Sequence, residues 1–210
     1  MTIPIDEEPA FNLTDVDRAV LAQTDEEFKY HDWADLKDVI ARGDLGILKR
    51  KPSDLIRYLA WTKETKAAYG TITNYICQRR LGWPLPTETP GPSFSNPIPF
   101  ADPADYKILR NDWPYGLVKG IAHLVVWSRT PIPVQDADGV ITAESHALIE
   151  DFVQRTFVDR LAREDGVKDP HDHVLWFKNY TALQSVRGLE HVHILLRDVP
   201  DRFVQEWTGE

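Results

Sequence analysis

The chain of 210 residues contains one cysteine, Cys77. A single cysteine rules out an internal disulfide, and its scarcity makes the cytosol or nucleus the expected compartment. A cysteine in a helical pattern is more often a small packed residue than a nucleophile. Long apolar runs are also missing. None approaches the roughly 20 residues that span a bilayer, so no membrane association is expected. Residues 1–12 include Asp6, Glu7 and Glu8, the wrong charge for a secretory or mitochondrial leader. Basic excess is absent too: 24 Lys and Arg stand against 33 Asp and Glu, a formal charge of −9. An extended nucleic-acid surface needs cations to neutralise phosphates, so that partner class is excluded. A small pocket needs only a few cations, and a phosphorylated small molecule stays within reach.

What is present is a globular composition, 42% hydrophobic and 27% charged, with seven tryptophans. The pattern divides the chain into an acidic helical region at 1–83, a proline-rich connection at 84–103 and a mixed region at 104–210. In the first, Val16, Val20 and Leu21 make one weak helical stripe, and Trp33, Leu36, Val39 and Ile40 another. A longer helix starts at Pro52-Ser53-Asp54, read as an N-cap with a first-turn acid. Gly70 and the β-branched Thr71, Ile72 and Thr73 predict a kink within it. The connection, with Pro84, Pro86, Pro90, Pro92, Pro97, Pro99 and Pro103, is too proline-rich for a helix or central strand. Phe94 and Phe100 suggest that it lies on the protein.

Beyond residue 104 the pattern becomes strand, strand, helix, strand, strand. The strands are expected at Tyr106–Arg110, Ile121–Trp127, His173–Lys178 and Leu189–Arg197. Between them a helix runs from a Thr142 cap to about Arg163, with Leu148, Ile149, Phe152, Val153, Phe157 and Leu161 as its stripe. On the last strand the pleat alternates, which puts His191, His193, Leu195 and Arg197 on one face and Val192, Ile194 and Leu196 on the other. The second face is wholly apolar and belongs on a core. The histidines face the other way, into a cleft or solvent, about 6–7 Å apart along the strand. That spacing suits two contacts to one ligand, or two ligands to one metal ion. The plain alternative is a pair of surface histidines on an edge strand. In the same way, Asp169-Pro170-His171-Asp172-His173 has metal-like spacing but reads more readily as a solvated turn.

Three stretches now line up in order: Asn111-Asp112-Trp113-Pro114-Tyr115-Gly116, then His123-Leu124-Val125-Val126-Trp127, then Leu175-Trp176-Phe177-Lys178-Asn179 through Gln184-Ser185-Val186-Arg187 to Glu190-His191-Val192-His193. Over nearly its whole length the chain resembles the fungal N-acetylglucosamine-induced protein family, a domain of unknown function linked to aminosugar response. Residues 104–198 also resemble the histidine-triad superfamily. That second resemblance implies a five-stranded antiparallel α+β domain that binds nucleotides and cleaves or transfers nucleoside phosphates through a nucleotidyl-histidine. It places the nucleophile at His193, its preceding histidine at His191, ligand contacts at Asn179, Gln184 and Ser185, and a further histidine at His123; Lys178, next to Asn179, is a further candidate ligand contact. Leu195 stands where the third histidine of the triad would be, and Tyr180-Thr181-Ala182-Leu183 where a glycine-rich loop is usual.

The expectation is therefore an α+β fold, a histidine-triad-like antiparallel sheet with packed helices behind a helical N-terminal extension. The expected function is hydrolysis or transfer of a nucleotide or nucleotide-sugar phosphate by His193 and His191, assisted by Arg197, without a cofactor. Two alternatives stay open. One is a non-catalytic sensor that keeps a small-ligand pocket. The other is a metal-dependent enzyme built on the His-x-His pair with His123.

Overall fold

The computed structural model describes residues 13–85, 93–135 and 139–210. Four antiparallel strands form one sheet in the order β1-β2-β4-β3: β1 Tyr106–Arg110, β2 Ile121–Ser128, β3 Val174–Phe177 and β4 Glu190–Arg197. The architecture is α+β, as expected. Among the described residues the sheet has four strands, where the histidine-triad resemblance implies five.

β4 is an interior strand, paired with β2 on one side and β3 on the other, so the edge-strand reading of its histidines does not hold. One face of the sheet, with Leu124, Val126, Val192, Ile194 and Leu196, packs on helices α5 (Ala143–Val153), α6 (Asp159–Ala162) and α7 (Asp201–Thr208). Phe152, Phe157, Leu161 and Phe203 fill that layer. Thr142 caps α5 by accepting from the Ser145 amide, the predicted start. A wider π turn at Gln154–Val158 then joins α5 to α6.

The opposite face is covered as well. Helix α2 (Trp33–Arg42) brings Trp33, Leu36 and Val39 into one apolar cluster with Phe177 and Leu195. The long predicted helix is α3 (Pro52–Tyr69), which breaks at Gly70 with φ +78° before α4 (Ile72–Tyr75) and a π turn at Ile76–Leu81. Ile72, Ile76 and Leu81 pack on Leu109, Val125 and Trp127. The N-terminal helices thus share their core with the sheet, and both sheet faces are buried. Helix α1 (Asp15–Leu21) sets Val20 on Leu55 and Tyr58 of α3.

Local details differ at the start of α3. Lys51 occupies the N-cap position without a side-chain bond, and Pro52 follows it. Ser53 points away, its amide and hydroxyl both donating to Asp25 at 2.8 and 2.5 Å. The remote carboxylate does the capping that a local serine was expected to do. In the proline-rich connection, Phe100 is buried and stacks on Phe152 with ring centroids 4.6 Å apart. Asp105 accepts from the amides of Ser95 and Asn96, which ties the segment down. Pro86, Pro90 and Pro92 lie outside the described residues.

Candidate functional site

A cavity of about 650 Å³ opens between the histidine face of the sheet and the N-terminal helices. His191, His193, Val125, Trp127 and Asn179 contribute from the sheet side. Tyr58, Trp61, Arg50 and Lys49 come from the first half of the chain, and Trp113 and Tyr115 from the loop after β1.

That loop is held close by backbone bonds. The Gly116 amide donates to the Lys49 carbonyl at 2.8 Å, His31 donates to the Gly116 carbonyl at 2.9 Å, and Val118 donates back to His31 at 3.0 Å. A Cβ at Gly116 would lie 2.3 Å from the Phe28 ring, so only glycine admits this approach. The stitching fixes Tyr115 and Arg50 next to each other. Arg50 donates through Nε to the Trp113 carbonyl, and its guanidinium lies 4.1 Å from the Tyr58 ring and 5.5 Å from the Tyr115 ring.

Register decides how the histidines meet. Val125 sits opposite His193 and Leu195 opposite His123, so His123 and His193 are diagonal neighbours on one face. Their rings join directly, His123 Nε2 to His193 Nδ1 at 2.9 Å. The other ring nitrogen of His193 receives the Asn179 amide at 3.2 Å, and the same amide nitrogen donates to the Tyr115 hydroxyl at 3.2 Å. Asn111 Nδ2 lies 3.2 Å from His123 Nε2. The result is a buried polar chain, Tyr115–Asn179–His193–His123–Asn111. Both nitrogens of His193 are engaged in it.

His191 is arranged differently. Its Nδ1 donates to the Leu189 carbonyl at 3.0 Å, which fixes the tautomer and leaves a lone pair on Nε2. That nitrogen has no hydrogen-bond partner among the described residues, and it is not one of the buried polar atoms sealed from water. Trp127 packs against the ring at 4.8 Å. Burial pushes all three imidazoles towards the neutral form: His191 down to about 4, His123 down to about 3, and His193 well below its usual value, with the neighbouring histidines and Arg50 adding to the shift of His193. The lone pairs are therefore present at neutral pH.

The other sequence candidates divide. Gln184 and Ser185 line the cavity, and Gln184 also donates to the Asn179 carbonyl at 2.8 Å. Asp112 lines it too, paired with Arg80 at 3.0 Å. Lys178 is not on the cavity wall; its ammonium pairs with Glu190 at 3.1 Å. Arg197 is also away from it, stacked over Trp33 at the far end of β4. Among the described residues no group of three His, Cys, Asp or Glu converges as a metal site, so the geometry lends no support to the metal alternative. In the Asp169–His173 stretch, Pro170–His173 forms a short 3-10 turn in which Asp172 pairs with Lys37 and His173 contacts the Arg197 carbonyl. Sequence reasoning missed Arg50, Tyr58, Trp61 and Arg187. The Lys49-Arg50-Lys51 run is plain in the sequence, but nothing local says that it packs on the loop after β1, where Arg50 meets the Trp113 carbonyl.

Also among the described residues, no helix is long and apolar enough to cross a membrane. The sequence pattern of a family described as Protein of unknown function (DUF3605) matches residues 32–197. N-acetylglucosamine-induced protein 1 of Candida albicans is 30% identical, with 83% of this chain and 71% of that protein covered. An uncharacterized Saccharomyces cerevisiae protein, YPL067C, is 31% identical over 86% of each chain. A solved structure titled Crystal Structure of HTC1 superimposes with a TM-score of 0.59 at 28% identity, covering 85% of this chain and 91% of the other.

Proposed function

The chain belongs to that family of unknown function, and from this premise we propose that it is a hydrolase or transferase of a small phosphorylated molecule, worked by a histidine on β4. A nucleotide, nucleotide sugar or aminosugar phosphate is the expected class. The Candida albicans relative, named for induction by N-acetylglucosamine, makes the aminosugar branch worth testing first.

The observation that carries this reading is the lone pair of His191 Nε2, in a cavity that gathers cations in a chain of net charge −9. Lys49, Arg50 and Arg187 line that cavity and suit an anion. A neutral, tautomer-fixed imidazole at such a wall can act as general base or nucleophile. His193, with both nitrogens bonded, serves as its neighbour in the buried chain and as a positioning residue. Trp61 and Trp113, 5.3 Å apart, offer an aromatic wall for a base or sugar face.

The test is cleavage of phosphoanhydride and phosphoramidate substrates, aminosugar nucleotides included, by the full chain and by His191→Ala and His193→Ala. Each variant is first shown to fold by its unfolding transition. His191→Ala is expected to lose at least about 100-fold in turnover, the scale of one acid–base group. Unchanged turnover in a folded His191→Ala overturns the proposal. One observation favours a second reading, a binding protein without chemistry: Asp112, a carboxylate on the wall, is paired with Arg80 and supplies no second free acid–base group. That reading expects ligand to raise the melting temperature with no turnover.

A further inference from the structure

His191 stands between two hydrogen-bond donors that the buried polar chain leaves unused. On its β2 side is Trp127, its direct partner in the strand register, with ring centroids 4.8 Å apart. An indole N–H can only donate, and a buried one normally finds an acceptor. Trp127 is nearly buried and lines the cavity, yet its Nε1–H has no acceptor among the described residues. Unlike Nε1 of Trp33, it is not sealed from water, so it opens on the cavity. On the β3 side is Asn179, two residues beyond Phe177, the register partner of His193. Asn179 Nδ2 donates to the Tyr115 hydroxyl and to His193, each at 3.2 Å. The reversed amide would bury two unmatched N–H donors at the Oδ1 position, which costs more than the one acceptor left there, sealed from water. A hydroxyl that accepts from Asn179 keeps its own proton, and the Tyr115 O–H has no acceptor among the described residues.

Arg50 adds charge on the same side. Its Nε is engaged by the Trp113 carbonyl and its guanidinium lies 5.5 Å from the Tyr115 ring. No carboxylate among the described residues pairs with it, and both Nη groups remain for a ligand. A phosphoryl group carries its negative charge on the oxygens and is electrophilic at phosphorus. It can approach a lone pair only where donors take up the oxygens. Resting on the phosphate reading above, we propose that the Trp127 indole N–H and the Tyr115 hydroxyl are catalytic donors: each holds a non-bridging phosphoryl oxygen, from opposite sides of His191, so that phosphorus lies at Nε2. Arg50 balances the charge. The buried chain then has a task. His193 orients Asn179, and Asn179 fixes the Tyr115 oxygen so that its proton is left for the ligand.

The test is binding of inorganic phosphate and of orthovanadate, which takes the five-coordinate geometry of a phosphoryl group in transfer. The full chain is compared with Trp127→Phe and Tyr115→Phe, which keep a ring at each position and remove the N–H or O–H. Each variant is expected to bind vanadate at least about tenfold more weakly, the equivalent of about 1.4 kcal/mol. A second measurement needs no variant to fold: in the full chain labelled with 15N-tryptophan, vanadate should move the Trp127 indole proton downfield. Vanadate binding that is lost in Arg50→Ala but unchanged in either phenylalanine variant, or that leaves the Trp127 indole proton unmoved, overturns the paired assignment and leaves the phosphate reading standing. Absence of binding by both anions overturns the two together. Unchanged turnover in a folded His191→Ala overturns the phosphate reading alone, since the two donors are scored by anion binding and not by turnover.

Discussion

The two faces of the sheet come from the same strands, yet they are built to different rules. On the face under α5, α6 and α7, the buried residues of β2 and β4 are the apolar Leu124, Val126, Val192, Ile194 and Leu196, with Ser128 at the end of β2 as the polar member. On the face under the N-terminal helices the same strands contribute His123, His191 and His193 beside Val125, Trp127 and Leu195. The first face closes on aromatic and aliphatic side chains. The second keeps a cavity of about 650 Å³ and joins its polar groups to one another. The comparison teaches that burial alone does not mark a core. What separates the faces is whether the buried groups are satisfied by packing or by a hydrogen-bonded chain that leaves acceptors unmatched beside it.

The contrast is open to direct attack. The largest effect is expected on the apolar face: Ile194→Ala removes a fully buried side chain from an interior strand and should cost about 2–5 kcal/mol in chemical denaturation. A cost below about 1 kcal/mol would mean that this layer collapses easily and that the two faces are less different than their packing suggests. Next comes acid, which protonates the buried histidines of the second face. His191 and His123 are held neutral in the folded protein, with values near 4 and 3 against the ordinary 6.5. The unfolded chain therefore binds more protons between those values, and stability falls as pH drops below about 6.5. Unfolding followed from pH 7.5 to 4.5 should show a loss on the order of a few kcal/mol, one that is reduced in His123→Leu if that variant keeps its fold. Equal acid sensitivity in that variant would place the loss elsewhere. The smallest effect is expected from Asn179→Ala. It breaks the bonds to His193 and Tyr115 but also removes the unmatched Oδ1, and should cost about 1 kcal/mol. A much larger cost would show that the polar chain supports the fold as strongly as the apolar layer does.

Much of this layout was legible in the sequence, and for identifiable reasons. Alternation on β4 separated Val192, Ile194 and Leu196 from His191 and His193, because the pleat has a period of two whatever the partner. Thr142 announced α5, and Gly70 with Thr71 announced the break after α3. The helical stripes at Val16–Leu21 and Trp33–Ile40 correspond to α1 and α2. Less legible were the events that join distant segments. The cap at Ser53 is made by Asp25, and Arg197 and Lys178, both expected to contact the ligand, sit off the cavity wall with Trp33 and Glu190.

The sequence by itself determined that His191 and His193 share a strand face, and that the far face is apolar. It did so through local periodicity, a property of covalent geometry. Only the tertiary structure decided what those histidines face. Register placed His123 beside His193, and β4 took an interior position in the sheet. The N-terminal helices closed over the site with Arg50, Tyr58 and Trp61. Those choices depend on which distant surfaces bury each other best, which no local pattern records. They turned the opposite side of an amphipathic strand into a cavity where one imidazole engages the backbone, another engages its neighbours, and acceptors are left unmatched beside them.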